Sequence, residues 1–294
     1  MKLQKLCKRL VAFSMMSVVA FSLVGCGGDN AAESNSADVQ ETPATSETAS
    51  SDVATTGEST LSKDTLVVGL DDAFPPMGFR DENGDIVGFD IDLAGALGEK
   101  IGKEITFQTI DWSMKEAELN SGNIDFIWNG YSISDERKEQ VDFSVPYLKN
   151  KQIIITLADS PINSKADLAG KTVGAQSGST AVDAVEGEPE VLETFKDGKL
   201  VTYETNNDVL MDLEAGRVDA VVADEILVRY YISKKGEEKF KILSEDFGEE
   251  EYGIGMRKGD TELVDAVNKA YEELKADGTT AEISNKWFGE DITE

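Results

Sequence analysis

The chain has 294 residues, with 28 Lys plus Arg against 57 Asp plus Glu, no His and a formal net charge of -29. That length fits one large domain or two modest ones, and 40% hydrophobic residues supply real cores. The acidity argues against nucleic acid, which needs clustered Lys and Arg, and against a basic patch on anionic lipid. Without histidine there is no Ser-His-Asp or Cys-His catalysis and almost no ordinary zinc chemistry. No catalytic residue, metal or cofactor is assigned.

At the N-terminus, Lys2, Lys5, Lys8 and Arg9 precede an apolar run, Leu10–Val24. Its length suits the core of a signal peptide and is short for a membrane span. Both cysteines, Cys7 and Cys26, lie in this region, so no disulfide framework exists beyond it. Leu23-Val24-Gly25-Cys26 resembles the lipobox of bacterial lipoproteins, which implies removal of residues 1–25 and a lipid anchor on Cys26. From Asp29 to Ser62, 26 of 34 residues are Ser, Thr, Ala, Asp or Glu. Such a segment buries too little apolar surface to offset its ordering entropy. Residues 26–63 therefore read as a lipidated cysteine and a disordered tether, spanning roughly 30–35 Å as a flexible coil. The tether and Gly27 point to a Gram-positive cell surface.

From residue 65 onward, short β-rich runs alternate with helical stretches, the pattern of a parallel doubly wound α/β sheet. Thr65–Gly69 reads as a strand, about 91–100 as an amphipathic helix and Ile105–Thr109 as a second strand. Glu118-Leu119-Asn120-Ser121-Gly122-Asn123-Ile124-Asp125-Phe126-Ile127 is echoed by Asp212-Leu213-Glu214-Ala215-Gly216-Arg217-Val218-Asp219-Ala220-Val221. Each is a helix end, a glycine suited to a left-handed cap and an apolar strand. The echo predicts two similarly built lobes, and ligands of open α/β sheets bind beyond the strand ends.

Polar residues cluster at those ends, and each carries two readings. Arg137, three residues into a helix capped by Ser134, is either a surface partner of Glu136 or Glu139 or a fork for a carboxylate. Asp224 either caps the helix Glu225–Ser233 or accepts an ammonium. Ser177-Gly178-Ser179-Thr180 either starts a helix or presents N–H groups and hydroxyls to an anion. Phe74 and Trp112 either complete a core or flank an aliphatic ligand. Asp71 and Asp72 are loop caps or meet a positive group. Together they suit a zwitterionic α-amino acid.

These residues lie within motifs: Phe74-Pro75-Pro76, Gly88-Phe89-Asp90-Ile91-Asp92-Leu93, Ser132-Ile133-Ser134-Asp135-Glu136-Arg137, Asp142-Phe143-Ser144-Val145-Pro146-Tyr147 and Lys286-Trp287-Phe288-Gly289. With them the chain resembles, from about Thr65 to Gly289, the solute-binding proteins of polar amino-acid ABC transporters. The resemblance implies the two-lobed type II periplasmic-binding-protein fold. It places 64–147 plus 253–294 in a large lobe, 152–247 in a small lobe, and hinge strands at 148–151 and 248–252. By the same resemblance Arg137 pairs with the ligand α-carboxylate, with N–H groups near Ser132, Ser179 and Thr180. Asp224, the Gly130 carbonyl and the Ser132 hydroxyl receive the α-ammonium. Phe74 and Trp112 flank the side chain, with Asp71 and Gln176 near its tip. Asn129 and Tyr131 enlarge a segment that is small and apolar in many relatives.

The implied protein is a monomer that passes a polar amino acid to an ABC permease from a lipid anchor facing outward. Two alternatives stay open: a lipoprotein that senses a ligand and signals to a membrane receptor, and a dehydratase-like enzyme on the same fold.

Overall fold

A computed structural model describes residues 59–294. The signal peptide, Cys26 and most of the tether lie outside these residues.

The described chain runs β1 (Thr65–Leu70), β2 (Ala73–Phe74), β3 (Gly78–Arg80), β4 (Ile86–Val87), α1 (Phe89–Ile101), β5 (Glu104–Thr109), α2 (Lys115–Asn120), β6 (Phe126–Ile127), α3 (Asp135–Gln140) and β7 (Val141–Phe143). The long strand β8 (Leu148–Leu157) carries it into a second lobe. That lobe holds β9 (Val173–Gln176), α4 (Thr180–Glu186), α5 (Pro189–Leu192), β10 (Leu200–Tyr203), α6 (Asn206–Glu214), β11 (Ala220–Asp224) and α7 (Glu225–Lys235). The return is β12 (Phe240–Tyr252), followed by β13 (Gly255–Arg257), α8 (Thr261–Ala276) and α9 (Thr279–Phe288).

Each lobe is built on a five-stranded sheet, in the order β5-β1-β6-β13-β7 and β10-β9-β11-β8-β12. The sheets are mixed, where the alternation of strands and helices suggested parallel ones. β1 pairs in parallel with β5 and β6, but β13 runs antiparallel to β6 and β7. In the second lobe β8 runs antiparallel to β11 and β12. The cause is the connection between lobes, since a chain that crosses out and returns must arrive head to tail. β8 and β12 pair side by side at the crossing, with Lys151 opposite Glu249 and Leu148 opposite Tyr252.

The repeated helix–glycine–strand unit does one job in both lobes. Gly122 and Gly216 adopt left-handed φ values of 82° and 70°, the caps that end α2 and α6. The aspartate three residues on then anchors the start of a neighbouring strand. Asp125 accepts the backbone N–H of Val67, and Asp219 that of Thr172.

Helical spacing builds the packing around the first sheet. In α8, Leu263, Val267, Ala270, Tyr271 and Leu274 are buried on one stripe, and in α1 so are Phe89, Leu93 and Leu97. Two of the sequence motifs meet there, because Asp92 accepts both the Lys286 ammonium and the Trp287 indole N–H. The body also begins earlier than the tether boundary at residue 63 implied. Thr60–Ser62 form a 3-10 turn, and Thr60 is buried, with its hydroxyl accepting from Arg257.

Candidate functional site

β1, β6, β9 and β11 end towards the space between the lobes, and the loops that follow them supply its walls. Phe74, Trp112, Asn129, Gly130, Ser132, Arg137, Gln176, Ser179, Thr180 and Asp224 line one narrow cavity. Asp71 stands one contact back, and Asp72 pairs instead with Arg80. The Asp71 carboxylate accepts the Gln176 amide at 2.7 Å.

Arg137 is buried, which rules out the surface pairing with Glu136 or Glu139. Ser134 caps α3 by accepting the Arg137 backbone N–H, which fixes the side chain's point of departure. The guanidinium stacks on the Tyr131 ring at 4.6 Å, donates to the Ser132 carbonyl at 2.9 Å and reaches the Gly178 carbonyl at 3.2 Å. Among the described residues no carboxylate forms an ion pair with it. A buried cation held only by neutral acceptors is costly unless an anion completes it.

Asp224 presents the opposite charge. It starts α7 but makes no side-chain cap bond. Instead it accepts from Asn150 and Gln152 of β8. It is buried and has no cationic partner among the described residues. Burial, then the adjacent Glu250 carboxylate, push its carboxyl well above the usual range.

At another side, Gln176 donates to Asp71 and to the Glu204 carbonyl and accepts from Asn206. Asp71 is pushed up to about 6 by burial, with Asp72 and Glu204 adding to the rise. Phe74 and Trp112 are each buried in a core cluster and also line the cavity. Asn129 donates to the Asp71 carbonyl, while its own carbonyl oxygen is buried without a partner.

Four neighbours were not picked out from sequence. Asp90 accepts the Gly130 N–H at 2.8 Å and the Tyr147 hydroxyl at 3.0 Å, so it holds the cavity-lining turn in place. Complete burial raises its carboxyl to about 7. Lys115 crosses from the first lobe to the Gly178 carbonyl at 2.8 Å. Burial, then the nearby Arg137, lower it to about 8. Glu250 reaches Ser132 and Thr180, and Gln152 bridges it to Asp224. Of the four, only Asp90 carried a signal, its place in the Gly88-Phe89-Asp90 motif.

Residues 66–290 match the bacterial extracellular solute-binding proteins, family 3. The chain belongs to that family. Among its relatives, the L-cystine-binding protein TcyJ of Escherichia coli (strain K12) is 34% identical over 232 residues, 78% of this chain and 85% of that protein. A solved ABC uptake transporter substrate binding protein from Streptococcus pneumoniae, with bound histidine, overlays with a TM-score of 0.77 at 42% identity. The overlay covers 79% of this chain and 96% of the other. The arginine-, lysine-, histidine-binding protein ArtJ from the thermophilic bacterium Geobacillus stearothermophilus gives a TM-score of 0.71 at 34% identity, over 77% and 96% of the two chains. These family members share the two-lobed architecture, with a ligand recorded in the first of the two solved structures.

Proposed function

We propose that this chain is an extracytoplasmic receptor that closes its two lobes on a polar α-amino acid and delivers it unchanged to an ABC permease. The observation that carries the reading is the pair of unmatched buried charges on one cavity: Arg137, and Asp224 on its far strand end. A zwitterion completes both. Its carboxylate takes the guanidinium fork and the N–H groups at the start of α4, and its ammonium takes Asp224, the Ser132 hydroxyl and the Gly130 carbonyl. Phe74 and Trp112 flank the side chain and exclude water.

The side chain points towards Gln176 and the Asp71 carboxylate behind it, and that carboxylate favours a cationic tip. Relatives named for histidine, arginine and lysine agree with that chemistry. Contacts to both lobes exist only when they are closed, so ligand shifts the population towards closure. The protein works as a monomer, held at the outer face of a Gram-positive membrane by lipid on Cys26. Cys26→Ala releases it into the medium, read by fractionation.

Isothermal titration of protein stripped of ligand by unfolding and refolding, against the twenty amino acids plus cystine and ornithine, tests the reading. Tight 1:1 binding is expected for arginine, lysine or histidine, with aspartate and glutamate weak. A folded sample giving no heat with any of them overturns it.

A further inference from the structure

Just before its last residue, Tyr252, β12 carries three consecutive glutamates, and strand alternation sends the middle one to a different face from its neighbours. Glu249 pairs outward with Lys151. Glu250 turns inward. Its Oε1 accepts from the Ser132 hydroxyl at 2.8 Å, Asn150 at 2.7 Å and Gln152 at 2.8 Å, and its Oε2 accepts from the Thr180 hydroxyl at 2.7 Å. The same two amides donate to Asp224 Oδ1. Two carboxylates from different strands therefore straddle one pair of amide groups, and two of the hydroxyls that line the cavity bind Glu250.

Neither carboxylate forms an ion pair among the described residues. The groups around them are few. Tyr252, on the same strand, has its hydroxyl buried without a partner. Arg137 of α3 stands on the inner cavity with Asp224. On the outer side, Glu250 borders a second, open cavity of ≈ 440 Å³ with Lys138 of α3, Lys149 and Lys151 of β8, Glu225 of α7, and Glu249 and Glu251. Two carboxylates that share the same amide donors, one of them buried, do not readily both ionise, and one proton satisfies the pair.

We propose that Glu250 stands behind the amino end of the site, held by the Ser132 and Thr180 hydroxyls that line the cavity, and forms with Asp224 a carboxylate pair that holds one proton in the unliganded protein and releases it when a ligand ammonium arrives. The proposal rests on the amino-acid reading above. The ammonium brings three N–H donors and a positive charge, so it replaces the proton on the pair. That proton passes to solvent buffer through the open outer cavity, and charge balances: a cation enters and a proton leaves. Because Glu250 belongs to a strand that crosses between the lobes, the exchange happens at the hinge itself.

Two measurements decide it. First, the side-chain carboxyls of the ligand-free protein are titrated by carbon NMR. One signal is expected to titrate well above the ordinary carboxylate range and to disappear from that range in Glu250→Gln. A protein without such a signal, or a signal unchanged in Glu250→Gln, overturns the proposal. Second, L-arginine and L-histidine are titrated calorimetrically at pH 6 in buffers of different ionisation enthalpy. About one proton is expected to leave per ligand bound, and none in Glu250→Gln. Binding whose heat does not change with buffer overturns the proposal. If neither amino acid binds a folded sample, the transport reading fails separately, and the NMR titration still decides whether the pair shares a proton.

Discussion

Arg137 and Asp224 sit in the cavity wall at a cost, because each is desolvated without an opposite charge. Arg137→Ala is therefore expected to leave the melting temperature unchanged or higher while weakening ligand binding by about 2–5 kcal/mol. Calorimetry beside a thermal melt separates the two effects, and unchanged affinity removes Arg137 from the site. Asp90 makes a different prediction. Its carboxyl is raised to about 7 by burial, so the native protein binds its proton more tightly than the unfolded chain. The associated stability is complete below the unfolded value near 4 and is lost as pH rises through 7. Asp90→Asn abolishes that loss, which is on the order of 4 kcal/mol, because each tenfold gain in proton affinity is worth about 1.4 kcal/mol. Denaturant midpoints of both proteins between about pH 3 and 8 test it, and parallel curves refute it. The sequence made Arg137, Ser132 and Asp224 legible because each follows an apolar strand or a cap whose direction is fixed. It hid Glu250, because register shifts between Ile242 and Glu249 break the two-residue alternation that would have told inward from outward.

At the scale of elements, the glycines separate conformational need from crowding. Gly216 caps α6 with φ at 70° and has open space where a Cβ would stand. Gly216→Ala should cost about 1 kcal/mol, the left-handed penalty alone. Gly88 has φ at 149°, and a Cβ there would lie 2.1 Å from the Met77 carbonyl oxygen. Gly88→Ala must displace backbone under the turn that starts α1, and should cost at least about 3 kcal/mol or leave the chain unfolded. Urea midpoints rank the two, and equal costs contradict this account. The helices, their caps and the paired lobes were readable because spacing and glycine placement are local signals. The mixed sheets were not, because β13 reaches its place from more than a hundred residues beyond the strands it joins. Thr60–Ser62 were absorbed into the tether by composition, since the Arg257 contact that orders them lies far along the chain.

Across the whole molecule, Lys115 and Gln176 tie the two lobes through the Gly178 carbonyl and Asp71. Lys115→Met removes one of these links, together with the Lys115 contacts on the Trp112 carbonyl and ring. It should weaken ligand binding by about 1.5–3 kcal/mol, the range for a hydrogen bond from a charged group. Small-angle scattering should then show a larger mean radius for the variant at subsaturating ligand, and identical profiles would mean that Lys115 does not hold the lobes together. The order of the first sheet has a consequence in time. β13 lies between β6 and β7 but follows the entire second lobe in the chain. Until the ribosome has made Gly255–Arg257, both β6 and β7 lack the neighbour that joins them, and the first lobe has no continuous sheet to fold upon. The first lobe therefore cannot complete its sheet until the whole second lobe has been synthesised, so the part of the chain made first waits for its neighbour before it can close its core.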